Sequence, residues 1–405
     1  MKKICFLSFI LVTAQTVFAQ FKNDNVLYKT VFPQDLCSSL QQSKGYLLLD
    51  VRSKGEYEDT SASAGYNLGH LRNAVNINVR ELAGRLSEII AYKDKPVYVY
   101  CSHSQRSRRA SKMLADSGFT NVINVNGGVT AIRQLPEGNC LNNYLESKVG
   151  YDVISISALC KKLADKQHSF ILDVRSDSAY QRIDLDAKIN SFGYFRNSVH
   201  IPFADLKNRL AEIPMDKDIV VVDIFGDQAA QAAAFLHEKQ YKKVSTLLEG
   251  LDRLNFTDSK ELACLKDNYT SPVKYDIMSS GDLKRFVEKN TGYLTLDVRS
   301  IEEFSNKHKD NWKNIGHLVN AVNIPSGELS AKISEIEKYR NKPVILYAFS
   351  GSTEAHQAAA VLIGNGFTNV HVLVGGIFNV RWTANNVSGN AALAKLVIDV
   401  PAENL

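Results

Sequence analysis

Short apolar runs alternate along the chain with stretches of helical periodicity. "YLLLDV" (46–51), "AVNI" (74–77), "PVYVYC" (96–101) and "NVINV" (121–125) read as buried strands, whereas "RELAGRLSEI" (80–89) and "RSRRASKMLADSG" (106–118) repeat their apolar positions at helical spacing. Strands alternating with helices predict an α/β fold, a parallel sheet covered by helices on both faces. Gly127 and Gly128 mark a tight turn after the last of these strands.

The pattern runs three times. "DVRS" places its arginine at Arg52, Arg175 and Arg299, 123 and 124 residues apart. A period this long means duplicated domains, since solenoid units run roughly 20 to 50 residues. "GHLRNAVNI" (69–77), "GYFRNSVHI" (193–201) and "GHLVNAVNI" (316–324) keep the same register, as do "NVNGGV", "LLEGLD" and "LVGGIF". The predicted units are 21–145, 146–270 and 271–385. A C-terminal tail, 386–405, follows, to which the pattern assigns no role.

Composition adds a destination. With 405 residues, 45% hydrophobic and 22% charged, the chain has a soluble globular balance and too much length for one core. Lys2 and Lys3, an apolar run and Val17-Phe18-Ala19 read as a secretory signal peptide over 1–19, with the mature chain beginning at Gln20. The expected location is secreted across the inner membrane, in the periplasm. A retained N-terminal anchor is the alternative. Cys5 lies inside the apolar run, which argues against a lipid-anchored cysteine. No later segment approaches the ~20 apolar residues of a membrane span. Without Lys2 and Lys3, the 48 basic and 43 acidic residues leave a net charge of +3, too little to argue for a nucleic acid or membrane partner.

Candidate chemistry gathers in "VYVYCSHSQRSRRASKML" (97–114). A strand ends in Cys101, a short polar loop follows, and a helix pattern opens at Arg106. Backbone N–H groups of such a loop converge on the sulfur, and the helix N-terminus adds positive potential. Both favour a thiolate, with Arg106 as the supplier of positive charge. The alternative is a buried, inert thiol, and the "QRSRR" cluster would be a solvated helix face in most proteins. The histidines and cysteines show no zinc-ligand spacing, so no metal site is expected.

Through "LLLDVRSKGEY", "GHLRNAVNI", "VYVYCSHSQRSRRA" and "VNGGV", in their usual order, the sequence resembles the rhodanese-homology family of sulfurtransferases, as three tandem rhodanese-like domains. The resemblance implies that Cys101 accepts a sulfane sulfur as a persulfide, encircled by Ser102, His103, Ser104, Gln105 and Arg106, with Ser107 beside them. The family often has glycine where this chain has Ser104, which implies a strained backbone there. Related phosphatases place five residues between Cys and Arg; this chain has four, a smaller ring suited to one sulfur atom. The implied partners are small sulfur donors such as thiosulfate and a thiol or cyanide acceptor, with a protein thiol as a further candidate, and no cofactor.

His103 either donates to the persulfide or faces solvent. Asp50 and Arg52 recur in all three units and read as a structural ion pair. His70 reads as a packing residue. The second unit has Asp223 and Gln228 where the first has Cys101 and Arg106, and the third has Ala348 and Thr353. Both should be catalytically silent. Two silent units of three support a rival reading, a non-enzymatic binding or redox-sensing scaffold. The intact Cys101-to-Arg106 loop favours the enzyme.

The remaining cysteines follow the repeat. Cys37 and Cys160 each lie 13 residues before their unit's aspartate, Asp50 and Asp173, and Cys140 matches Cys264; the third unit lacks both positions. Joint presence and joint loss predict disulfides joining Cys37 to Cys140 and Cys160 to Cys264, leaving Cys101 free. Four small buried residues are the alternative.

Overall fold

The computed structural model describes residues 27–164 and 169–402. The segment read as a signal peptide, 1–19, lies outside the described residues. The strands of the first unit are β1 (Lys29–Val31), β2 (Leu47–Asp50), β3 (His70–Leu71), β4 (Val75–Asn76), β5 (Val97–Tyr100), β6 (Val122–Val125) and β7 (Leu145–Glu146). Five form one parallel sheet in the order β1-β6-β5-β2-β4. The helices are α1 (Pro33–Gln42), α2 (Lys54–Glu58), α3 (Gln105–Asp116) and α4 (Gly128–Arg133).

Alternation along the strands fills both faces. Leu47, Leu49, Val97 and Val99 pack with Ala110 and Leu114 of α3. Leu48, Tyr98 and Tyr100 turn the other way, toward Leu36 and Leu40 of α1 and Ile132 of α4. Each fully buried leucine contributes roughly 1.5–3 kcal/mol. The second and third units repeat this five-stranded parallel sheet with two apolar faces. The expected α/β architecture of three tandem domains is what forms.

One expectation differs in detail. "RELAGRLSEI" is not one α-helix but two 3₁₀ segments, Leu82–Gly84 and Leu86–Tyr92. Gly84 weakens a helix interior, and the segment buries Leu82 and Ile89 completely while exposing most residues between them. The tail, to which the sequence pattern assigns no role, packs on the third unit over residues 386–402. Val397–Ile398 pairs antiparallel with His317–Leu318, and Leu393 is fully buried.

That pairing has counterparts. β3 pairs with β7, and Tyr194–Phe195 with Tyr269–Thr270, so the first unit reaches Glu146, one residue past its predicted border. Gly69, Gly193 and Gly316 open these short strands because a Cβ would collide with the carbonyl oxygen of Glu146, Thr270 or Ile398. In the third unit the last helix is longer, Gly376–Asn386 against Gly128–Arg133. Leu393 therefore plays the part of Leu141 and Leu265 at a shifted spacing.

The units pack on one another. Leu68 and Val129 of the first share a buried cluster with Leu248 of the second, and the Gly65 N–H donates to Asp227 at 3.1 Å. Ser279 donates to Asp258 across the second and third units at 2.7 Å, and Asn126 donates to the Asn386 carbonyl across the first and third at 3.1 Å. Between them lies a cavity of about 710 Å³ whose wall includes His103, Gln134, Arg253, Phe256, Phe378 and Trp382.

Candidate active site

Cys101 follows the last residue of β5 and is 1% exposed. The Ser104 N–H donates to its sulfur at 3.1 Å, and the thiol lies 3.6 Å from the Ser107 hydroxyl. Ser107 in turn donates to the Ser104 carbonyl at 3.0 Å, fixing the first turn of α3. The loop is closed from behind by α4, where Val129 N–H bonds the Cys101 carbonyl at 2.9 Å and Thr130 N–H bonds that of Ser102 at 3.1 Å. Gly128 permits this approach, since a Cβ there would strike both carbonyls.

Ser104 has φ +123°, outside the usual range of a residue with a side chain. Its hydroxyl compensates, donating to Asn126 Oδ1 at 2.9 Å and accepting from the Gly127 N–H. Gln105 opens α3 and is exposed; Ser102 is buried.

Arg106 goes elsewhere than the sequence reading assigns it. Its guanidinium makes two bonds of 2.6 Å to the Glu56 carboxylate, and Nη2 also donates to Ser102 Oγ at 2.9 Å. Glu56 raises the Arg106 pKa, and Cys101 contributes only a weaker Coulombic influence. Arg106 therefore braces the loop, while the donor in contact with the sulfur is the Ser104 N–H. Burial opposes ionisation of Glu56, yet Arg106 outweighs it and holds the carboxyl below its ordinary range. Glu56 is one residue of the site that sequence reasoning missed. Its signal was the capping box Ser53-x-x-Glu56 at the start of α2, which reads as local structure. Of the other basic residues of α3, Arg108 is buried and Arg109 is exposed.

Asp50 and Arg52 are fully buried and bonded at 2.7 Å, with Arg52 also donating to the Gly69 carbonyl. The same pair forms as Asp173–Arg175 and Asp297–Arg299, whether or not the unit holds a thiol. His70 stacks on Tyr57, ring centres 4.0 Å apart. Cys37 faces Cys140 with Cα atoms 6.4 Å apart, and Cys160 faces Cys264 at 5.8 Å, both within disulfide range.

His103 meets a second unit. Its Nε2 lies 2.7 Å from Glu249 Oε1 and its Nδ1 lies 3.0 Å from Ser102 Oγ. In the second unit the Asp223 carboxylate takes the place of the thiol, accepting from the N–H groups of Gly226 and Gln228. Burial pushes its pKa up to about 6 against these donors. In the third unit Ala348 fills the position and is fully buried. Among the described residues no cluster of His, Cys, Asp or Glu could hold a metal ion, and no helix is long and apolar enough to cross a membrane.

Known proteins share parts of this sequence. The uncharacterized protein YqhL of Bacillus subtilis is 41% identical over 81 residues, which is 20% of this chain and 56% of that protein. The tRNA uridine(34) hydroxylase of Onion yellows phytoplasma is 34% identical over 109 residues, 26% of this chain and 32% of that one. The chain thus spans about half the length, or less, of these curated relatives. Among solved structures, a rhodanese-like domain protein from Staphylococcus aureus is 25% identical, with 30% of this chain and 98% of that one covered at a TM-score of 0.22. The family model described as the rhodanese-like domain matches residues 33–135, 156–255 and 279–382, and the chain therefore belongs to the rhodanese-like family three times over.

Proposed function

We propose that the first unit is a sulfurtransferase working through a persulfide on Cys101. The observation that carries this reading is the Ser104 N–H aimed at the Cys101 sulfur at 3.1 Å, inside a loop sealed by α3 and α4. A backbone donor there stabilises negative charge on sulfur, in the thiolate and in the persulfide that replaces it. The thiolate attacks the outer sulfur of a donor such as thiosulfate; the new S–S bond forms as sulfite leaves with the electron pair of the old one. A thiol or cyanide acceptor then removes the sulfur, in the ping-pong order of covalent catalysis.

The second and third units lack the thiol and act as walls and scaffold. We place the mature protein in an oxidising compartment, the periplasm, reached through the N-terminal signal peptide. The paired cysteines at 6.4 and 5.8 Å support that placement.

Mass spectrometry of intact protein after thiosulfate treatment tests the reading. The expected result is one added sulfur atom, mapped to the Cys101 peptide and absent from folded Cys101→Ser. A wild-type protein that gains no sulfur, or a Cys101→Ser variant that still gains it, would remove Cys101 from the chemistry.

A further inference from the structure

The turn after the last strand of each parallel sheet holds two consecutive residues with left-handed backbone. In the first unit these are Gly127 and Gly128, at φ +78° and +56°, and in the third Gly375 and Gly376, at +71° and +54°. The second unit has Glu249 and Gly250, at +60° and +62°. A side chain at the first position strains a conformation that glycine adopts freely. Such strain persists where the surroundings hold it in place, and it clusters at functional sites.

What Glu249 gains is His103. Its Oε1 lies 2.7 Å from the imidazole Nε2, and Arg253 Nη1 stands 3.5 Å from its Oε2. Burial opposes charge on Glu249, but His103 and Arg253 outweigh it and hold the carboxyl below its ordinary range. An ionised carboxylate only accepts hydrogen bonds, so Nε2 donates to it, and in the neutral ring the Nδ1 lone pair is then free. Nδ1 lies 3.0 Å from Ser102 Oγ. That hydroxyl already accepts from Arg106 Nη2 at 2.9 Å, so its own proton points to Nδ1. Glu249, His103 and Ser102 therefore form a carboxylate–imidazole–hydroxyl chain that ends on the residue beside Cys101.

Docking of the units does not need this contact. Leu68, Val129 and Leu248 pack together, the Gly65 N–H reaches Asp227, and Arg253 donates to Gln134 at 2.6 Å. The imidazole is also reachable: the His103 side chain is 44% exposed and lines the cavity between the units.

We propose that Glu249, in a unit that lacks the thiol, is a positioning residue for the active loop of the first unit, and that His103, so held, takes the proton of an incoming thiol acceptor. The proposal rests on sulfur transfer through Cys101. In this step the acceptor's S–H proton passes through the Ser102 hydroxyl to His103 Nδ1, and the acceptor sulfur bonds the outer persulfide sulfur. The bond from that sulfur to Cys101 Sγ breaks, and Cys101 leaves as thiolate. The imidazolium, stabilised by Glu249, then releases the proton to solvent. One neutral thiol and one persulfide anion give a new persulfide anion, a thiolate and an imidazolium, with no net oxidation.

The donor half-reaction moves no proton and should not depend on Glu249. The test loads full-length protein with thiosulfate, then follows loss of the Cys101 persulfide to two acceptors. One is an alkyl thiol, protonated at neutral pH; the other is an aromatic thiol of low pKa, already ionised. Glu249→Gly, which installs the residue of the other two units and relieves the backbone, and Glu249→Gln should both load normally. Both should transfer about 10- to 100-fold more slowly to the alkyl thiol and at the wild-type rate to the aryl thiolate. His103→Gln should slow transfer to the alkyl thiol as well, and adding a Glu249 substitution to it should bring no further loss. Equal slowing with both acceptors would reduce Glu249 to a structural contact, and no slowing with either would remove it from the chemistry. A wild-type protein that never loads sulfur would instead overturn the sulfurtransferase reading itself.

Discussion

The Glu56 carboxylate binds the Arg106 guanidinium through two parallel bonds of 2.6 Å, joining α2 to the first turn of α3. Glu56 is 8% exposed at its side chain and Arg106 33%. Replacing Glu56 with Gln should destabilise the first unit by about 1–2 kcal/mol after allowance for solvent screening at the guanidinium. Because Arg106 also holds Ser102, persulfide formation should slow about 10- to 100-fold as the loop loses its geometry. The contribution has a defined pH window. Glu56 is held below its unfolded value, so its stabilisation is complete above the ordinary carboxyl pKa and disappears as pH falls through the depressed one. Thermal melts and single-turnover loading check both effects; a Glu56→Gln protein matching wild type in both would show that the loop needs no brace.

Ser104 offers a sharper comparison, since its strain and its hydrogen bonds can be separated. Ser104→Ala keeps the strained φ and loses the bonds to Asn126 and Gly127, so it should cost about 1–3 kcal/mol. Ser104→Gly loses the same bonds but relaxes the backbone, recovering about 1 kcal/mol of that cost. Denaturant midpoints should therefore rank wild type above Gly and Gly above Ala. A glycine variant less stable than alanine would mean that the backbone at 104 is not strained.

The fold was legible because it is written three times. "DVRS", the "GHL" motif and the double-glycine turn each mark one structural junction: a buried ion pair, a close strand approach, a left-handed turn. Cys101 was legible because a strand running into a thiol and then a helix is a local pattern. What escaped sequence reasoning was nonlocal. Glu56 reaches Arg106 across 50 residues and Glu249 reaches His103 across 146, and neither distance leaves a periodicity to read. The one trace of Glu249 was its place in "LLEGLD", where the other units carry glycine. The last segment of the third unit was obscured because a longer helix shifts Leu393 out of register and no cysteine marks the spot.

The paired cysteines carry a prediction about the covalent frame. Their sequence separations are 103 and 104 residues, so each disulfide could stabilise by up to ~4.7 kcal/mol in the chain-entropy model. The third unit has no such pair and buries Leu393 against its core as the first two bury Leu141 and Leu265. Thiol counting on denatured, unreduced mature protein should find Cys101 alone, and reduction should lower the melting temperature of the first two units more than that of the third. Five free thiols, or a peptide linking Cys101 to another cysteine, would refute this pairing.

The third unit should in turn be the acid-sensitive one. His356 is 3% exposed, with Nδ1 3.0 Å from the Tyr275 hydroxyl. Burial, aided by the positive charge of Lys188 from the second unit, lowers its pKa from 6.5 to about 4. The folded protein thus keeps His356 neutral over a range where the unfolded chain binds a proton. Stability is full above about pH 6.5 and falls as pH drops toward 4, by up to ~3 kcal/mol over that interval. His371, half-buried and also lowered, adds in the same direction and is common to any His356 variant. Asp223 works oppositely: its raised pKa of about 6 means that it binds a proton more readily folded than unfolded, so acidification over the same range favours the second unit. Urea unfolding between pH 7 and 4.5, followed unit by unit by hydrogen exchange, should show the third unit weakening while the second holds. His356→Gln should flatten the slope of the third unit alone. An unchanged slope in that variant would place the acid sensitivity in other groups.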